Sequence, residues 1–175
     1  MRKRPTRYSN SVPDFTKLRF RETLTLLLRH EVEFIVVGGV GAVIQGSPLF
    51  TFDLDIVHRR TRENIENLKR ALAAMHARYR IKPELSPDNT HLESKGHQLL
   101  ITDFGPLDVL GMIGHDWDYE RLLPFCRFVT VADAGEVRVL ELGKLIEVKE
   151  ETATEKDRAT LPILKRLLRV VESED

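Results

Sequence analysis

The sequence predicts an α/β (α+β) domain with a helical C-terminal segment. Short apolar runs bounded by glycine and proline alternate with segments of helical periodicity, and the chain from about residue 142 onward is helical in pattern. The chain has 175 residues, enough for one core of ordinary size, and no repeat or long linker divides it. We therefore expect a single domain over residues 13–172, preceded by a flexible basic tail at residues 1–12.

The composition is that of a globular protein. Apolar residues make up 42% of the chain and charged residues 31%, and Lys+Arg and Asp+Glu each number 27. This balance gives no general argument for a nucleic-acid or membrane partner. Cys126 is the only cysteine, so no internal disulfide can form, and no apolar run reaches the roughly 18 residues that a membrane-spanning helix needs. Since the basic start also lacks an apolar signal core, we expect a cytoplasmic protein without a membrane partner.

The first third of the chain predicts helix, strand and short helix in that order. Residues 11–32 have a helical apolar stripe, and Ser11 or Asp14 can cap this helix. Residues 33–39, "EFIVVGG", predict a buried strand that the glycines end. Residues 40–46 then predict a short helix that ends at a glycine.

The middle of the chain predicts a second strand followed by a long helix. Residues 51–58, "TFDLDIVH", form the strand, and residues 61–79 form the amphipathic helix with Thr61 as its N-cap. The apolar face of that helix consists of Ile65, Leu68, Leu72 and Met75. Residues 81–97 contain two prolines and a glycine and predict a loop.

The last part of the chain predicts two hairpins and a helical end. Residues 97–111 predict two strands that turn at Phe104–Gly105–Pro106, and residues 127–142 predict a hairpin around Ala134–Gly135. Residues 142–172 predict helix, which we expect Pro162 to split or restart because proline removes a backbone donor.

Two aspartates occupy strand positions where apolar residues are expected. In "FDLDIV", Asp53 and Asp55 should point to the same face of the strand, about 7 Å apart, with Leu54 and Ile56 on the buried side. Two neighbouring carboxylates repel each other, and partial burial makes their ionisation harder. A divalent cation removes this conflict, and Mg²⁺ commonly binds one or two carboxylates together with substrate phosphates.

A third aspartate has similar surroundings. Asp108 in "GPLDVLG" lies inside a later apolar run and should reach the same cleft if its strand pairs with that of Asp53 and Asp55. An isolated D-x-D is most often an exposed strand edge or a turn. The apolar flanks of both runs favour a metal site instead.

A glycine-rich turn separates the first strand from the short helix. Gly38, Gly39 and Gly41 leave free backbone N–H groups at a helix start, which favours an anion. The dinucleotide-binding pattern fails, because Ile44 stands where glycine or alanine is needed, and no G-K-[ST] follows for a P-loop. A tight turn that serves only strand–helix packing is the alternative.

Taken together, these motifs resemble the nucleotidyltransferase superfamily typified by DNA polymerase beta. In particular the chain is similar to small bacterial proteins related to the abortive-infection (type IV) toxin nucleotidyltransferases. The resemblance covers nearly the whole chain, through "VVGGVGAVIQGSP", "TFDLDIV", "PLDVLG" and "LIEVKEETATEKD". It implies a nucleotidyltransferase fold, with a mixed β-sheet flanked by helices.

The resemblance also implies site residues. The catalytic and metal-binding set would be Asp53, Asp55 and Asp108. The nucleotide-binding set would be Gly38, Gly39, Lys149, Lys156 and Asp157. The lysines have an alternative as part of a solvated helix face, and Asp157 has one as an ion-pair partner of a nearby basic residue.

The activity implied by the resemblance is transfer of a nucleoside monophosphate from a nucleoside triphosphate to a hydroxyl, with Mg²⁺ or Mn²⁺ as cofactor. The acceptor would be RNA or a protein hydroxyl in a toxin–antitoxin setting, with a cognate antitoxin as a further partner. Two alternatives stay open: an enzyme that modifies a small molecule such as an antibiotic, and a catalytically weakened nucleotide-binding or interaction module.

Overall fold

A computed structural model describes residues 19–174 of the protein. Within this range the strands are β1 (Phe34–Val37), β2 (Leu54–His58), β3 (Arg78–Tyr79), β4 (His97–Thr102), β5 (Gly105–Leu110), β6 (Cys126–Val131) and β7 (Gly135–Leu140). The helices in the same range are α1 (Phe20–Arg29), α2 (Gly38–Ile44), α3 (Arg62–Ala74), α4 (Asn89–Glu93), α5 (Tyr119–Leu122), α6 (Leu142–Thr152) and α7 (Glu155–Glu174).

The strands form one mixed sheet in the order β3-β4-β5-β2-β1-β7-β6. β2 runs antiparallel to β1 and parallel to β5, while β1 also runs parallel to β7. The pairs β3–β4, β4–β5 and β6–β7 are antiparallel. The predicted α/β class and the mixed sheet flanked by helices are therefore confirmed.

Alternation along the strands divides the core between two faces of the sheet. One face, here called the α3 face, carries Leu54, Ile56, Leu107 and Val109, which pack with apolar residues of α1 and α3. The opposite face, the α6 face, carries residues such as Val57 and Leu110, which pack with α6 and α7. Because side chains alternate along a strand, a residue buried on one face places the residues before and after it on the other face.

The long helix in the middle of the chain ends earlier than its pattern predicts. α3 ends at Ala74, His76 has a left-handed backbone (φ 48°), and the N–H of Ala77 donates to the carbonyl of Leu72 at 2.9 Å. The chain then reverses, and Arg78–Tyr79 pairs with β4. The prediction of helix to residue 79 is wrong, because alanine, arginine and tyrosine are compatible with helix and only sheet pairing ends it.

Two further assignments are corrected. The predicted loop at residues 81–97 contains α4, which Asp88 caps by accepting the N–H of His91 at 3.0 Å. Pro162 lies inside α7, and the break in the C-terminal helices falls at Ala153, whose backbone is left-handed (φ 44°). The lost donor at Pro162 removes one helical hydrogen bond without ending the helix.

The start of the chain is only partly covered. The predicted tail at residues 1–12 and the candidate caps Ser11 and Asp14 lie outside the described residues. α1 falls within the predicted first helix. Among the helices of residues 19–174, none combines the length and the apolar character needed to cross a bilayer.

Gly111, at the end of β5, offers a test of the packing. A Cβ at this position would lie 2.8 Å from the Cα of Lys95, and backbone there cannot move away easily. We expect Gly111→Ala to lower the free energy of unfolding by about 2–4 kcal/mol, measured by urea denaturation. Gly143 in α6 has nothing within 4 Å of an added Cβ. Gly143→Ala is the control and should raise stability by up to about 1 kcal/mol. Equal effects of the two variants would contradict the packing seen at Gly111.

Candidate active site

Three aspartates meet on the α6 face of the sheet. Asp55 in β2 lies directly opposite Asp108 in the parallel strand β5, and Asp53 comes one residue before β2 begins. One carboxylate oxygen from each residue lies within 4.8 Å of the other two. The predicted pairing of the two aspartate-bearing strands is therefore confirmed, while the catalytic role of the residues stays a prediction.

The apolar neighbours of the aspartates explain this position. Leu54, Ile56, Leu107 and Val109 are all fully buried on the α3 face. Because side chains alternate along a strand, Asp55 and Asp108 must then point to the α6 face. Asp108 is itself buried, with 8% of its surface exposed. A shift of one residue in either strand would place carboxylates in the α3-face core.

The electrostatics of Asp55 reflect its surroundings. Burial, and secondly the charge of Asp53, raise the pKa of Asp55 to about 6. The positive charges of Lys156, Lys149 and Arg80 act in the opposite direction but do not cancel the rise. Three closely spaced carboxylates offer the hard oxygen ligands that Mg²⁺ and Mn²⁺ prefer, so the donor set fits a divalent cation.

Arg80 contacts the acidic cluster, and sequence reasoning missed it. Its guanidinium hydrogen-bonds to Oδ1 of Asp108, and its Nε donates to the carbonyl of Leu100 at 3.0 Å. The backbone N–H of Arg80 donates to the carbonyl of Leu99 at 3.1 Å, which fixes its position at the edge of the sheet. The local pattern holds no signal for this contact, because the turn that places Arg80 beside β4 is itself unexpected.

Two glycines at the start of α2 pack directly against residues 51–55, the segment that carries Asp53 and Asp55. Gly38 has a left-handed backbone (φ 61°), and a Cβ there would collide with the carboxylate of Asp55. A Cβ on Gly39 would lie 2.7 Å from the Cβ of Thr51, whose hydroxyl donates to the carbonyl of Asp53 at 3.2 Å. Packing alone therefore requires both glycines, and phosphate binding at the start of α2 stays a prediction.

A cleft of about 390 Å³ lies beside the cluster, between the α6 face and helices α6 and α7. Asp55 and all five predicted nucleotide-binding residues line it: Gly38, Gly39, Lys149, Lys156 and Asp157. Its remaining walls are largely apolar and include Val37, Leu49, Phe50, Phe52, Leu110, Leu145, Val148 and Leu164. The cleft thus has a charged end and an apolar remainder, within the range of small-ligand sites.

Asp157 organises the junction of α6 and α7. Its carboxylate accepts a hydrogen bond from Lys149 Nζ at 2.8 Å and from the hydroxyls of Thr152 and Thr154 at 2.9 and 2.6 Å. Burial alone would raise the pKa of Asp157, but these hydrogen bonds lower it to about 2. Since the protein already occupies its oxygens, Asp157 positions Lys149, whereas Lys156 is exposed at the cleft.

No protein-family model matches this sequence, and no curated protein matches it. The fold is similar to that of a proposed nucleotidyltransferase from Thermotoga maritima, with a TM-score of 0.53 and 18% identity, covering 89% of this chain and 91% of the other. A nucleotidyltransferase-like antigenic protein from Paracoccidioides brasiliensis gives a TM-score of 0.48 and 14% identity, covering 86% and 76%. The first similarity shows that this chain has a nucleotidyltransferase-like fold.

Asp55→Asn should stabilise the metal-free protein in a pH-dependent manner. Because the pKa of folded Asp55 lies near 6, above its ordinary value of 3.8, ionised Asp55 destabilises the fold above that pH. We expect the variant to gain about 1–3 kcal/mol near pH 8, measured by thermal denaturation in EDTA. The gain should shrink towards about pH 4, where the wild-type carboxyl is protonated as well. A loss of stability near pH 8 would instead identify Asp55 as a structural residue.

Asp157→Asn should have the opposite effect on stability and destabilise the protein at neutral pH. The pKa of folded Asp157 is about 2, so its contribution is complete above its ordinary value of 3.8 and is lost as the pH falls towards 2. We expect a loss of about 2–3 kcal/mol near pH 7, shrinking in acid, because Lys149 keeps a partly buried charge without its partner. Glu155→Gln, in the same turn but exposed, is the control and should change stability by less than about 0.5 kcal/mol. Similar losses in both variants would argue against the positioning role of Asp157.

Proposed function

We propose that the protein is a metal-dependent nucleotidyltransferase that moves a nucleoside monophosphate from a nucleoside triphosphate to a hydroxyl group. The observation that carries this proposal is the cluster of Asp53, Asp55 and Asp108, of which Asp55 lines the charged end of the cleft. The nucleotidyltransferase-like fold supports the general class.

The cluster would hold Mg²⁺ or Mn²⁺ through its carboxylates. A bound divalent ion supplies Lewis-acid stabilisation of the phosphate charge. Asp53 and Asp55 would orient the triphosphate through this site, and the backbone N–H groups of Gly38 and Gly39 would contact its phosphate oxygens. Placing these groups before the reaction is the main catalytic contribution of the chain, because phosphoryl chemistry depends on positioning and electrostatics.

The transfer itself forms one bond and breaks one. The acceptor oxygen attacks the α-phosphorus, the bond from that phosphorus to the bridging oxygen breaks, and pyrophosphate leaves. Asp108 would accept the proton of the attacking hydroxyl, since it lies on the strand next to Asp55. Lys149 and Lys156 would neutralise charge that develops on the leaving pyrophosphate.

The finer assignments rest on the resemblance of the sequence motifs. They are an acceptor hydroxyl in RNA or a protein, a toxin–antitoxin setting with a cognate antitoxin, a cytoplasmic location, and residues 13–172 as one functional domain. One observation favours the alternative of a nucleotide-binding module without turnover. Arg80 occupies an oxygen of Asp108, which then has less capacity to take a proton.

Incubation with each α-labelled triphosphate and Mg²⁺ separates these functions. The protein is tested alone, with total cellular RNA, with total cellular protein and with an aminoglycoside. We expect label on one acceptor class and its loss in EDTA. Binding of triphosphate without transfer of label under any of these four conditions would instead support a nucleotide-binding module without turnover.

Asp108→Asn should affect chemistry more than binding. We expect transfer to fall by about 100-fold or more, because the attacking hydroxyl loses its proton acceptor. The dissociation constant of the triphosphate should change by less than about threefold, since Asp108 acts on the acceptor side. Asp133→Asn, at an exposed turn between β6 and β7, is the matched control and should keep full activity. Wild-type transfer by Asp108→Asn would contradict the assignment.

A further inference from the structure

We infer that the cleft binds the four common ribonucleoside triphosphates with affinities within about tenfold of one another, recognising the triphosphate and the flat face of the base and not the base edge. The inference rests on the proposed function and adds the selectivity of the nucleotide site. It follows from the hydrogen bonds that the polar side chains of the cleft already make.

The threonine hydroxyls of the cleft donate their protons inside the protein. Thr152 and Thr154 donate to Asp157, and Thr160 donates to the backbone carbonyls of Lys156 and Asp157, each at 3.2 Å. Thr51 donates to Asp53. Each hydroxyl has one proton, so these side chains have no donor left for a nucleobase.

His97 presents a single acceptor. Its Nε2 lies 3.0 Å from the carbonyl oxygen of Met112, so in the neutral imidazole this nitrogen carries the proton and Nδ1 has the lone pair. Every common nucleobase has at least one N–H donor on its edge: the amino groups of adenine, cytosine and guanine, and the ring N–H of uracil. A lone acceptor can therefore meet any of the four bases and does not separate them.

The two lysines serve the charged end of the cleft. Lys149 is paired with Asp157, and both lysines are near enough to lower the pKa of Asp55. Their charges would therefore lie beside the phosphates of a triphosphate bound at Asp55. Along the described part of the cleft wall there is no asparagine or glutamine, the side chains that read base edges with paired donor and acceptor.

The apolar remainder of the cleft suits the face of a base. Leu49 and Phe50 come from the segment before Asp53, and Val148 and Leu164 come from α6 and α7. The rings of Phe50 and Phe52 meet edge to face with centroids 5.1 Å apart. Stacking on an aromatic ring tolerates all bases, because each base has a π-face.

These contacts set the size of the expected selectivity. A site that hydrogen-bonds a substrate edge rejects the wrong substrate by about 10⁴-fold or more, and the side chains of this cleft provide no such paired contact. Purine triphosphates should therefore bind somewhat tighter than pyrimidine triphosphates, through larger stacking area alone.

Isothermal titration with the full-length protein and Mg²⁺ tests the inference. The ligands are the α,β-methylene analogues of ATP, GTP, CTP and UTP, in which transfer is blocked, and inorganic tripolyphosphate. We expect the four dissociation constants to lie within about tenfold. Phe50→Ala should weaken all four analogues by a similar factor of about ten and leave tripolyphosphate unchanged. Ile81→Ala is the control, because Ile81 is 88% exposed and does not line the cleft.

The outcomes separate the inference from the function on which it rests. A preference for one base that clearly exceeds about tenfold would overturn the inference and leave the proposed function intact. Failure of tripolyphosphate and of all four analogues to bind would overturn the proposed function, and the inference with it. Loss of binding in Phe50→Ala for one base only would show edge recognition and would also overturn the inference.

Discussion

The parallel pairing of β2 with β5 is the constraint on which the rest of the site depends. These strands are far apart in sequence, and their register sets Asp55 directly beside Asp108. Four fully buried aliphatic residues on the α3 face hold that register, because a shift of one residue would exchange core and carboxylates. The hydrophobic core on one face of the sheet thereby specifies the acidic cluster on the other.

Holding three carboxylates together destabilises the metal-free fold, and the protein offsets this only in part. Arg80 reaches Asp108 from the sheet edge, and Lys149 and Lys156 oppose the raised pKa of Asp55 from the helices. The pKa nevertheless stays near 6, so a repulsion between carboxylates remains that a bound divalent cation would relieve. Such a local cost to stability is common where a site is built for a ligand.

The junction of the two C-terminal helices is held by hydrogen bonds of a single carboxylate. The left-handed residue Ala153 separates α6 from α7, and Asp157 joins them again through Lys149, Thr152 and Thr154. This junction forms one wall of the cleft and consumes the donors of its threonines. Structural hydrogen bonding at the junction and the weak selectivity for the nucleobase that we infer would then be two results of one arrangement.

The sequence by itself determined the α/β class, the strand positions of Asp55 and Asp108, and the glycine turn beside them, because alternation and turn chemistry act over a few residues. Tertiary structure alone decided that α3 stops at Ala74, that Arg80 reaches Asp108, and that Asp157 holds Lys149. Each of these depends on a partner distant in the chain or on competition between helix and sheet pairing. Local periodicity does not predict such partners, since the same residues are compatible with both helix and strand.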